Sequence, residues 1–169
     1  MRLRYQLQRD LKLKKHPFVL IGAISFFVLG LMSWWIGGNP RPTLIYLQNA
    51  TGTVGMFIFF VLWSISYFCN GAVFGSMFAI TERCHQLLAN RIAVLIIIMH
   101  LFALFAYPLF FACYAWMLAL IALILSAVFC VMAILLVRRI SILASGILIV
   151  HFAILLWTII RTATIIFMN

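Results

Sequence analysis

Between Arg41 and Glu82, and again between Arg91 and Arg138, this chain has no Asp, Glu, Lys or Arg. A soluble domain carries charge at about a quarter of its positions, so runs of this kind cannot form a water-facing surface. The remaining composition agrees: 67% of the 169 residues are hydrophobic and the mean hydropathy is +1.24. The chain is built for a bilayer, and any chemistry it performs is intramembrane.

A helix needs roughly 20 apolar residues, at about 1.5 Å each, to cross the hydrocarbon layer. Divided on that length, the sequence predicts an all-α integral membrane protein with five transmembrane helices, at about residues 18–36, 54–80, 92–111, 115–137 and 142–167. The stretch from Ile92 to Val137 is too long for one helix, and Ala112, Cys113 and Tyr114 are its expected reversal. The alternating pattern of an outer-membrane barrel is absent. Residues 1–16 form a basic tail, and residues 17–169 the membrane domain. A basic region before an apolar one resembles a signal peptide, but the first span is long, ends in Trp34-Trp35 and lacks a small-residue cleavage site, so a retained helix is expected.

Lys and Arg collect on the cytoplasmic side of membrane proteins. Six of the twelve precede the first span: Arg2, Arg4, Arg9, Lys12, Lys14 and Lys15. With that end inside, Arg83, Arg91, Arg138 and Arg139 also fall inside, leaving Arg41 and Arg161 towards the outside. The bias predicts a cytoplasmic N-terminus and an external C-terminus in a membrane of the bacterial inner type. A net charge of +10 would suggest nucleic acid in a soluble protein; here topology and anionic headgroups account for it, and no nucleic-acid partner is expected. Leu3, Leu7 and Leu11 recur at helical spacing in the tail, which fits either a surface-lying amphipathic helix or a disordered topogenic tail.

Polar residues inside spans are the first candidates for function. His100 lies eight residues into the third span and His151 about nine into the fifth, so both are expected at one depth. That pairing fits a bis-histidine haem site or a proton relay, with structural hydrogen bonding as the plainer reading. No span contains Asp or Glu. Asn70 could cross-link helices, and Arg161 is expected to snorkel. Cys69, Cys84, Cys113 and Cys130 form no Cys-x-x-Cys pair; neither a disulfide framework nor a zinc site is expected, and they read as small packing residues. Small residues line one face of the fourth span (Ala115, Ala119, Ala122, Ser126, Cys130 and Ala133), with Gly71 and Gly75 on the second and Ser141 and Ser145 on the fifth. Such faces allow close packing, within the chain or against a partner.

In the outer half, Trp63 and Tyr67 stand one turn apart, Tyr107, Phe110 and Phe111 end the third span, and Trp157 lies in the fifth. The group fits an interfacial aromatic belt or the wall of a pocket for a flat apolar ligand.

Ordered pieces of the second half resemble the TspO/MBR family, the translocator proteins or peripheral-type benzodiazepine receptors. Tyr107-Pro108-Leu109-Phe110-Phe111 is similar to the family's W-Y-P-L-F-F at the end of the third helix, and Arg139-Ile140-Ser141-Ile142-Leu143-Ala144 to its R-x-S-x-L-A at the entry to the fifth. Trp63-Ser64-Ile65-Ser66-Tyr67, followed by Gly71, resembles W-T-x-L-Y and its trailing glycine. The similarity covers roughly residues 59–169. It departs from the family in the first loop, where Leu47 alone matches, at Ala103 and Ala106 in the third helix, and at Val150, His151, Ile154 and Thr162 in the fifth. A divergent member is implied: a five-helix bundle around an apolar pocket, often a homodimer, binding, transporting or sensing a porphyrin, haem or sterol-like molecule. Trp63, Tyr67 and Tyr107 take pocket positions by motif; Phe110, His100, His151 and Trp157 complete the expected ligand-binding set by depth and chemistry, with no catalytic or metal-binding residue assigned beyond the haem pair. Tetrapyrrole photodegradation is a further family proposal, weakened here by the missing first-loop Trp. The alternative is a structural or regulatory subunit of a membrane complex without a ligand of its own.

Overall fold

The computed structural model describes residues 16–36, 40–83 and 88–168, with side chains left undescribed at 16, 40–57, 81–90 and 168. The basic tail with Leu3, Leu7 and Leu11 lies outside these residues, as does Cys84.

Among the described residues five helices follow one another: α1 (His16–Ile36), α2 (Pro40–Arg83), α3 (Leu88–Ala112), α4 (Trp116–Val137) and α5 (Ile142–Met168). Each contains a segment long and apolar enough to cross a membrane: Pro17–Ile36, Ile58–Ile80, Arg91–Ala112, Trp116–Val137 and Ile142–Phe167. The many Ile and Val residues are no obstacle, because a chain in hydrocarbon must satisfy its backbone groups internally and the helix does so residue by residue. The protein is an all-α, multi-pass membrane bundle.

The expected spans agree with the helices except at the start of α2. Residues 40–53, read as a loop, belong to a continuous 44-residue helix. At about 1.5 Å per residue it is roughly twice the thickness of the hydrocarbon core. Pro40 and Pro42 fall in its first turn, where their missing N–H groups would have had no partner in any case.

α2, α3, α4 and α5 form a ring in which each helix packs on the next and α5 closes back on α2; α1 lies outside it against α2 and α3. Lipid tails are as apolar as the helices, so close packing and interhelical hydrogen bonds hold such a bundle together. Glycines bring α1 onto α2. A methyl group on Gly71 would meet the Gly22 carbonyl oxygen, with the Phe26 Cβ at 2.8 Å, and one on Gly75 would meet the Phe18 carbonyl. The expected small-residue face of α2 is therefore filled by α1 of the same chain. On α4, Ala119, Ala122, Ser126, Cys130 and Ala133 are all buried. Ser141 stands just before α5, where its Oγ accepts from the Ala144 N–H at 3.3 Å, an N-cap contact.

The α3–α4 reversal falls where expected. The Ala115 N–H donates to the Phe110 carbonyl at 2.9 Å and the Tyr114 N–H to the Phe111 carbonyl at 3.2 Å, the paired bonds of a Schellman ending. Tyr114 takes the left-handed position with φ 58°, a place usually held by glycine.

Candidate functional site

Two buried layers occupy the bundle. The first is aromatic. Trp63 stacks on Tyr107 with ring centroids 5.2 Å apart, and Tyr67 on Phe105 at 5.5 Å. Trp34 of α1 turns its indole edge-on to Phe59, Phe60, Trp63 and Tyr107. Phe59 also reaches Trp157 at 6.0 Å, and the Arg161 guanidinium sits 5.6 Å from the Trp157 ring centre. Such ring pairs each contribute about 0.5–1.5 kcal/mol beyond contact area. Trp63, Tyr67, Tyr107 and Trp157 thus converge, but as rings packed on one another. Gly30 admits the Tyr67 ring against α1, since a methyl group there would overlap it. Phe110, 37% exposed, stands outside this buried set.

Two polar atoms in this layer have no hydrogen bond of normal geometry among the described residues: the Trp63 indole Nε1, and the Tyr67 hydroxyl, which faces Ser33 and Trp34. A buried donor left unpaired costs about 1–3 kcal/mol.

The second layer is polar and lies deeper, on the axis of the four-helix ring. Every helix of the ring contributes: Ser66 and Asn70 from α2, His100 from α3, Ser126 and Cys130 from α4, and His151 from α5, all of them buried. Asn70 Nδ2 donates to the Ser66 carbonyl at 2.8 Å, which turns its Oδ1 towards His100 Nε2, 3.3 Å away. His100 Nδ1 lies 2.9 Å from the Ser126 carbonyl and 3.0 Å from its hydroxyl. Ser66 Oγ and His151 Nδ1 are hydrogen-bonded. The expected common depth of the histidines is what the structure has, with ring centroids 5.0 Å apart and edge to face. At that contact no gap separates the rings for a macrocycle ligated by both.

His151 Nε2 has no hydrogen-bond partner among the described residues. Cys130 joins the pair: one ligand atom from each of His100, Cys130 and His151 lies within 4.8 Å of the other two. Its thiol has only a long contact, 3.7 Å, to the Leu148 carbonyl. By sequence alone Cys130 is expected only to pack. The signal was present, since Cys130 and Ser126 are one turn apart on the buried face of α4, but the depth of α4 relative to α3 and α5 was needed to use it.

A cleft of about 150 Å³ opens between α2 and α5, lined by Ile65, Ser66, Cys69, Ile147, Val150, His151 and Ile154. It leads to the histidine layer, not the aromatic one.

No family model matches the chain, and no curated protein or solved structure is significantly similar to it. The fold and site define a multi-pass membrane protein with an aromatic layer stacked on a buried histidine–cysteine–serine layer.

Proposed function

We propose that this chain is a TspO-like membrane protein that binds a flat hydrophobic ligand, such as a tetrapyrrole or sterol-like molecule, in its aromatic layer. The observation that carries the reading is the Trp63 indole N–H, buried among four neighbouring rings without a hydrogen-bond partner among the described residues. A flat ligand with an acceptor at its edge satisfies that donor while stacking on Trp63 and Tyr107. The 150 Å³ cleft is too small for such a molecule, since ligand pockets run to roughly 300–1,000 Å³. The ligand therefore takes the place of Trp34, whose half-buried indole on the peripheral α1 closes the layer. In the same reading the N-terminus faces the cytoplasm of a bacterial-type inner membrane, following the charge bias. The small-residue faces that a partner subunit would use are occupied within the chain by α1 and by the ring, which favours ligand binding over the subunit alternative.

The test is a tryptophan-quenching and absorbance titration of the detergent-purified protein with protoporphyrin and with haem. Saturable quenching is expected, weakened about five- to tenfold in Trp63→Phe, which keeps a ring and removes the donor. A histidine double variant, His100→Ala with His151→Ala, should leave protoporphyrin binding intact. Absence of saturation with either tetrapyrrole and with a sterol probe would overturn the proposal.

A further inference from the structure

The deeper layer holds features that the aromatic reading does not use. His151 is buried, yet its Nε2 has no hydrogen-bond partner among the described residues. The other nitrogen of the ring is held by Ser66. Ligating histidines show this arrangement: the outer nitrogen is anchored by a hydrogen bond, which fixes the ring and leaves the inner lone pair for the metal. His100 offers the same device. Its Nδ1–H can donate to the Ser126 carbonyl at 2.9 Å, while its Nε2 has only the longer contact to Asn70. The third convergent group is a thiol, Cys130, on the helix between them in the ring.

We propose that His100, Cys130 and His151 form a binding site for a soft monovalent cation, copper(I) being the fitting ion. Thiolate and imidazole together select copper(I) or zinc over hard ions, and charge decides between those two. No span carries a carboxylate, so the Cys130 thiolate is the one anion the three ligands supply. With copper(I) the site is neutral; with a divalent ion it keeps a net positive charge in a low-dielectric interior, which is strongly unfavourable. On binding, the Cys130 S–H bond is replaced by an S–Cu bond and the proton passes to solvent, with no change of oxidation state. His100 binds as the tautomer with its proton on Nδ1, facing the Ser126 carbonyl, and its Nε2 lone pair towards the ion. The α2–α5 cleft, where Ser66 and His151 line the wall, is the route of approach.

The experiment is an anaerobic competition titration of the full-length, detergent-purified protein against a chromophoric copper(I) chelator, with X-ray absorption to identify the ligand atoms. One copper(I) per chain is expected, with one sulfur and two nitrogen neighbours. Cys130→Ala and His151→Gln should retain no stoichiometric copper, whereas Cys69→Ser and the aromatic-layer variant Trp63→Phe should bind as the parent does. Ser66→Ala leaves all three ligands in place, and removing this anchor is expected to weaken binding about ten- to a hundredfold. The proposal is overturned by no retained copper(I), by retention unchanged in Cys130→Ala, or by a preference for zinc that depends on Cys69. Loss of copper in the histidine and cysteine variants with tetrapyrrole quenching preserved separates this site from the aromatic one.

Discussion

Single residues decide how each buried layer is finished. Tyr114 occupies a left-handed backbone position in the Schellman turn, tolerable for a residue without a branched Cβ and poor for one with it. Tyr114→Gly is therefore expected to fold with unchanged thermal stability or better, and Tyr114→Val to lose about 1–2 kcal/mol, read as a drop in melting temperature by tryptophan fluorescence in detergent. Asn70 bonds α2's own backbone with one end and His100 with the other. Its replacement by Leu should cost about 0.6–1.7 kcal/mol, the range for interhelical hydrogen bonds in membranes; a neutral result would mean the His100 contact contributes nothing. The sequence marked Asn70, His100 and His151 because polar groups are rare in spans. It could not mark Cys130, whose size and polarity suit both packing and ligation, until the histidines' positions beside it were known.

At the level of elements, the glycines of α1 and α2 separate close approach from mere flexibility. Gly71→Ala and Gly75→Ala push a methyl group onto the backbone of α1, and each should destabilise by about 1–3 kcal/mol, as overpacking does. Gly146 meets nothing within 4 Å, so Gly146→Ala should be neutral or stabilise α5 by up to about 1 kcal/mol. Denaturation of the three variants side by side in one detergent checks this; equal effects at all three positions would remove the close-packing account of the α1–α2 contact. Spacing alone showed that Gly71 and Gly75 share a face. It did not show that α1 covers that face, because periodicity describes one helix at a time. The start of α2 differs from expectation for a related reason: Pro40, Pro42 and Gly52 are turn-formers by composition, but the two prolines sit in a first turn and the glycine is tolerated within a long helix.

At the scale of the whole molecule, five helices among the described residues are long and apolar enough to cross a membrane, and the proposed topology, with five crossings, puts the two ends of the membrane domain on opposite faces. In that proposal the charge bias sets the direction. A fluorescent-protein fusion at the N-terminus should fluoresce in the cytoplasm and an alkaline-phosphatase fusion after α5 should be active outside; the reverse pattern would invert the orientation proposed here. The ring of α2 to α5 with a peripheral α1 also accounts for having two layers. Its axis collects the short polar side chains, while the groove beneath α1 collects the large rings.

The number of spans, the helical class, the α3–α4 reversal and the shared depth of the histidines were all settled by the sequence. Each follows from one-dimensional quantities: the length of an apolar run, the charges at its ends and the rise per residue. Which faces meet was settled only by the tertiary structure. Rotation and register between helices turned an expected aromatic pocket into stacked rings, and brought the α4 cysteine beside two histidines. Those relations depend on how side-chain shapes interlock between neighbouring helices, and a single helix's periodicity does not contain them.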